Sequence, residues 1–171
     1  MKSAMSLRAL AAAVVLASAA VAAASQGQQQ AMSNQQFLDE AARGSLAEVT
    51  LGQMAETKAQ NPQVKQFASR MIADHSKALA EARQLAERSG AEVTEQMTQK
   101  HEKMAESLSN ESPEGFDRAY MQAMVEDHRS TVRKFEAQAE SGDGPVAAYA
   151  EKQLPVLREH LAMAESIANE L

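Results

Sequence analysis

From residue 32 onward, apolar side chains recur every three or four positions in four long runs separated by turn residues. That spacing matches the 3.6-residue period of an amphipathic α-helix, so the chain is expected to be all-helical. Ser33 with Gln36 forms a capping-box pattern, and Met32 and Phe37 stand where a hydrophobic staple would close. The first helix is therefore expected over about 34–59. Asn61-Pro62, Ser112-Pro113 and Asp143-Gly144-Pro145 each start another, because a polar cap followed by proline suits the first helical turn. The three helices they open are expected over about 62–88, 113–141 and 144–170, with Gly90 ending the first of them and Gly142 separating the last two. Pro155 falls inside the fourth long helix, where it removes the bond to the carbonyl of Glu151 and is expected to kink the rod.

A weaker helical stretch, about 94–108, lies between Gly90 and Ser112. Its length bears on topology. Short connections after the first and third long helices force two antiparallel hairpins, and this longer segment can carry the chain from one to the other. The expected architecture is a ferritin-like four-helix bundle of two antiparallel helical hairpins with a short crossover helix; a plain up-down-up-down bundle is the competitor.

The stripes contain four residues of the wrong polarity. Met121, Val125, His128, Val132, Phe135 and Ala139 follow four-three spacing without a break, as do Val64, Ala68, Met71, His75, Leu79 and Ala82. His160 borders the stripe of the fourth helix, one turn from Leu157 and Ala164. Glu48 shares a face with Phe37, Ala41, Gly44, Leu51, Gly52 and Ala55. Each of the four lies near the midpoint of its helix, and at ~1.5 Å of rise per residue they fall within about one turn of a common level whichever way each helix runs. Asp-His recurs in Asp74-His75 and Asp127-His128, and Glu159-His160 is a shorter echo.

The opening of the chain is different in kind. Lys2 and Arg8 precede an alanine-rich apolar run, and Ala22-Ala23-Ala24 offers a small-x-small cleavage pattern, so residues 1–24 read as a signal peptide. Residues 25–32 read as a polar tether and 33–171 as one domain. The protein is expected to be exported, in the periplasm or associated with the outer membrane, with no transmembrane segment after cleavage. The formal charge is −6 and no basic block occurs, which argues against nucleic acid as a partner. There is no cysteine, so disulfides, thiolate metal sites, iron–sulfur clusters and a cysteine nucleophile are excluded. Neither a Gly-x-Ser-x-Gly elbow nor a glycine-rich phosphate loop is present, and enzymatic activity is not expected.

A carboxylate and three imidazoles converging in a core suit zinc, iron, manganese or copper(II). Glu48, His75, His128 and His160 are thus the candidate ligands, with a hydrogen-bonded core network as the alternative. Asp74, Asp127 and Glu159 stand about 100° from their histidines on the wheel, which suits acceptors behind the ligands or surface ion pairs better than shared ligation. Met71, Met124 and Met163 lie one turn from His75, His128 and His160, a pattern open to copper(I) binding or to core filling. His101, on the crossover, is expected to face solvent.

The stretches FLDEAARGSLAEVTLGQMAETKAQNPQVKQFASRMIADHSKA, FDRAYMQAMVEDHRS and AEKQLPVLREHLAMAESI resemble the exported bacterial family known as domain of unknown function 4142, over Phe37 to about Ile167. The resemblance implies export, a ferritin-like fold and importance for Glu48, His75, His128 and His160. No Glu-x-x-His occurs, since Ile72, Val125 and Leu157 stand where the glutamates of di-iron ferritins would be. This argues against the usual ferroxidase chemistry and a closed storage shell. Two functions fit: a metal-binding bundle holding iron, copper or zinc and acting in envelope metal handling or stress response, or a metal-free structural bundle that meets an envelope protein or a second copy of itself.

Overall fold

The computed structural model describes residues 32–171, and among them every regular element is an α-helix. The helices are α1 (Asn34–Lys58), α2 (Pro62–Ser89), α3 (Gln99–Ser109), α4 (Pro113–Ser141) and α5 (Gly144–Glu170). The signal peptide expected over 1–24 lies outside the described residues, as does the tether except for Met32. None of the described helices is long and apolar enough to cross a membrane.

The caps explain why the long helices begin where the sequence places them. Ser33 and Gln36 form both halves of the capping box, Asn61 accepts from the amide of Gln63, and Ser112 accepts from that of Gly115. Gly90 closes α2 in the left-handed region at φ 68°, where a side chain would be strained. Asp143 makes no side-chain cap; its carboxylate instead accepts a long 3.5 Å bond from Asn34 Nδ2. Helix α5 continues through Pro155, which sits on its exposed face. The crossover helix starts later than expected, at Gln99, with the Thr98 hydroxyl capping the amide of His101; residues 91–97 form a lead-in without regular secondary structure, bent at Glu95 and Gln96.

Lateral contacts settle the connectivity. Helix α1 packs on α2 and α4 on α5, while α2 also meets α5 and α1 meets α4. An up-down-up-down bundle would instead set α2 beside α4. Polar contacts fix the directions: Asn34 at the start of α1 accepts from Gln138 near the end of α4, and the Lys58 ammonium at the other end of α1 donates to the carbonyls of Leu108 and Ser109. The crossover therefore climbs the length of the bundle, and α1 and α4 run antiparallel. Two hairpins joined by one long connection is the ferritin-like connectivity.

The core consists of two apolar clusters. One contains Phe37, Leu79, Phe135, Tyr149 and Leu154; the other contains Leu51, Phe67, Met71, Tyr120 and Met124. The residues between them along the long helices include Glu48, His75, His128 and His160, so a polar layer divides the bundle's interior.

Candidate metal centre

Four elements build the layer. Glu48 of α1, His75 of α2, His128 of α4 and His160 of α5 are all buried, His160 completely. His160, expected at the edge of its stripe, faces the interior because α5 is covered by both α2 and α4. The three imidazole rings surround one point, with centroids 5.3 to 5.6 Å apart. Each contributes a ring nitrogen to a group whose members all lie within 4.8 Å of one another.

Hydrogen bonds behind the rings determine which nitrogens face that point. His128 Nδ1 donates to the carbonyl of Met124 at 3.0 Å, leaving Nε2 with a lone pair. His160 Nε2 donates to Asp74 Oδ2 at 3.0 Å, leaving Nδ1 in the same state. Among the described residues, His128 Nε2, His160 Nδ1 and both nitrogens of His75 are buried without a hydrogen-bond partner. His128 and His160 carry the signature of metal-ligating histidines, the outer N–H held by an acceptor and the inner nitrogen bare, whereas His75 lacks the outer contact. A buried polar atom left unpaired costs about 1–3 kcal/mol, so four together need a reason.

Electrostatics keep the rings neutral. Burial holds the His75 imidazole well below the usual histidine range, and the neighbouring His128 and His160 push it further down. Burial likewise lowers His128 to about 4, with His160 adding to the effect. His160 is lowered by burial too, against the pull of the Asp74 carboxylate. Glu48 shifts the other way: burial raises it well above the carboxylate range and the charge of Asp127 adds to that, partly offset by Lys100.

Glu48, expected as a fourth ligand, is not among the grouped atoms. Its Oε1 lies 3.8 Å from His128 Nδ1, the nitrogen already committed to Met124, and its Oε2 has no partner among the described residues. Asp74 serves as a hydrogen-bond acceptor for an imidazole of the cluster, though for His160 across the α2–α5 contact and not for its sequence neighbour. Burial would raise the Asp74 carboxyl, but bonds from His160 and Arg70 overcome that and hold it below its usual value. Glu159 pairs with Arg70, which also reaches Asp74. Asp127 turns away from His128 to accept from His101 Nε2 at 3.2 Å and from the Lys100 ammonium. These bonds outweigh burial and keep Asp127 strongly acidic.

His101, expected to face solvent, is buried. Thr98 Oγ1 reaches its Nδ1 at 3.0 Å and Asp127 takes the other nitrogen. The sequence held a signal for this: His101, Met104, Ala105 and Leu108 share one face of the crossover helix. Met71 and Met124 belong to the apolar cluster below the layer, and Met163 packs against it. They fill the core.

A cavity of about 220 Å³ adjoins the rings. Its walls include Phe37, Ala41, Gly44, Thr131, Phe135 and Leu157 together with the three histidines, Glu48 and Asp127.

Fold and site define a class of protein: a single-crossover helical bundle with a three-histidine cluster in its core. Within that class the chain belongs to the family described as Domain of unknown function (DUF4142), which matches residues 18–167. Among solved structures it is similar to "CopM in the Cu(II)-bound form", with 16% identity, 82% of this chain and 98% of that chain covered, and a TM-score of 0.69. At that identity the likeness speaks to the fold. No curated protein matches the chain.

Proposed function

We propose that this chain is an exported protein that binds one transition-metal ion in its bundle core through His75, His128 and His160, and that it serves metal handling or stress defence in the cell envelope. The observation that carries the reading is the set of bare, neutral, buried ring nitrogens within 4.8 Å of one another. Imidazole suits zinc, copper, iron and nickel. Copper is favoured within that set because a protein of similar fold is known in a Cu(II)-bound form. Glu48 stands beside the ligands as a buried acid. The competing metal-free bundle requires hydrogen-bond partners for the same nitrogens, and His75 has none among the described residues.

The test is thermal melting of the mature protein with copper, zinc, iron and manganese in turn, beside a chelated control. An ion that binds only the folded state raises its melting temperature by mass action, by about 2.7 kcal/mol of stability at a hundredfold excess over Kd. One of these ions should do so for the wild type, and the gain should vanish in His75→Leu and His128→Ala. No shift with any ion returns the protein to the metal-free reading.

A further inference from the structure

An ion that reaches His75, His128 and His160 has to leave water for a buried layer, and it does so readily only where other polar atoms replace its hydration shell. The cavity of about 220 Å³ beside the rings supplies such atoms. Four carboxyls line it, Glu40, Glu48, Asp74 and Asp127, against two lysines, Lys100 and Lys134. That balance suits a cation in transit. Part of the wall is the start of the crossover helix, since Thr98, Lys100 and His101 line the cavity and α3 packs on both α1 and α4.

Two ion pairs stand on these walls, and they differ in depth. Glu40 is 39% exposed and Lys134 37%, so that pair lies at the surface. Lys100 is 57% exposed while its partner Asp127 is 7% exposed, so this pair reaches from solvent into the interior. Lys100 and His101 bond the same oxygen, Asp127 Oδ1, which leaves Oδ2 without a donor among the described residues. The two donors are held differently. His101 is buried and fixed at its other nitrogen by Thr98, whereas Lys100 is a flexible, mostly solvated chain whose ammonium regains water when it leaves. The lysine can therefore swing away while His101 keeps the carboxylate in place. Asp127 also precedes His128 directly in α4, and both line the cavity.

We infer that the Lys100–Asp127 pair is the gate of the metal site: the ion enters from solvent beneath the start of the crossover helix, displaces the Lys100 ammonium, is held by the Asp127 carboxylate and passes from it to His75, His128 and His160. This rests on the metal reading above. Asp127 stands about 100° from His128 on the helix wheel, so it holds the ion before the histidines do and not together with them. A lysine that only closes the path alters entry and release alike and leaves the equilibrium affinity nearly unchanged, because both rates cross the same barrier.

The experiment mixes the mature protein rapidly with copper(II), read by its visible absorption, and with zinc, read by competition with a coloured chelator. Release into excess chelator and an equilibrium titration complete each series, all at high salt to screen attraction between exposed charges. Lys100→Met should speed both entry and release by about threefold or more and keep Kd within about twofold, while Lys100→Arg keeps both slow. Asp127→Asn should slow entry by about tenfold, and Glu40→Gln should stay within about twofold of the wild type. Faster entry with slower release in Lys100→Met reports charge repulsion alone and overturns the gate, as do unchanged rates in either Lys100→Met or Asp127→Asn. Equal slowing in Glu40→Gln and Asp127→Asn reports general attraction and overturns it too. In each of these cases the equilibrium titration leaves the metal site standing. Failure of the wild type to bind either ion removes both readings.

Discussion

Every residue of the polar layer holds at least one buried polar atom without a hydrogen-bond partner among the described residues. His75 is the clearest case, since neither ring nitrogen has a partner among the described residues. Replacing an unsatisfied buried polar group by an apolar one of similar shape is neutral or stabilising. His75→Leu should therefore melt at or above the wild-type temperature without metal, while losing the metal-dependent gain. Asp74 makes a complementary case. It orients His160 through Nε2, and loss of such an outer contact typically lowers metal affinity 10–100-fold. A titration of Asp74→Ala should show a loss of that size. Arg70→Ala should bind nearly as the wild type does, because Arg70 touches Asp74 but not the histidine.

Stability against pH follows from the same residues, with two opposite signs. His128 is lowered from 6.5 to about 4, so between those values the unfolded chain takes up a proton that the native one refuses. Metal-free stability is accordingly present above pH 6.5 and falls as the pH drops towards 4. Glu48 is raised above 4.5, so the native state keeps a proton that the unfolded chain releases, and its contribution falls as the pH rises beyond 4.5. Glu48→Gln should remove the second slope and leave the first. Denaturant melts of apo protein across pH 4–8 read both, and an unchanged alkaline slope in Glu48→Gln would show that the carboxyl is ionised in the folded state.

At the scale of elements, two glycines in α1 have opposite roles. A Cβ on Gly52 would lie 2.8 Å from Ile72 Cγ1 and 3.1 Å from the carbonyl of Ala68, so the glycine permits the close approach of α1 to α2. Gly44 has open space. Alanine at Gly44 should stabilise by about 0.5–1 kcal/mol through helix propensity alone, whereas at Gly52 overpacking should outweigh that gain and cost about 1–2 kcal/mol net. Equal effects in chemical denaturation would contradict the packing account.

Most element boundaries were legible because caps and proline starts are local signals: Ser33-Gln36, Asn61-Pro62 and Ser112-Pro113 function as the sequence implies. The crossover was harder. Its lead-in is held by contacts with α1, where Arg43 donates to the carbonyls of Gln96 and Met97 and Asp39 accepts from the amide of Thr94. Such contacts join residues far apart in sequence and leave no periodic trace.

At the scale of the whole molecule, the arrangement of hairpins makes the site. Placing α2 beside α5 and α1 beside α4 brings Asp74 to His160, an acceptor–imidazole pair invisible from wheels drawn one helix at a time. The level of the three histidines was readable from helix midpoints, since straight rods of similar length align their centres. The exclusion of Glu48 from the group was not readable, because it depends on which nitrogen of His128 the Met124 carbonyl holds. The lateral position of His101 required the crossover to lie on α1 and α4, where Asp127 is waiting.

The central claim is that three histidines from three helices bind one ion. X-ray absorption at the metal edge of the one-to-one complex, prepared with the ion that most raises the melting temperature, tests it directly. The account predicts a shell containing three imidazole nitrogens, at about 2.0–2.1 Å if the ion is zinc. A shell of oxygens alone, or imidazole scattering that persists undiminished in His75→Leu, would contradict it.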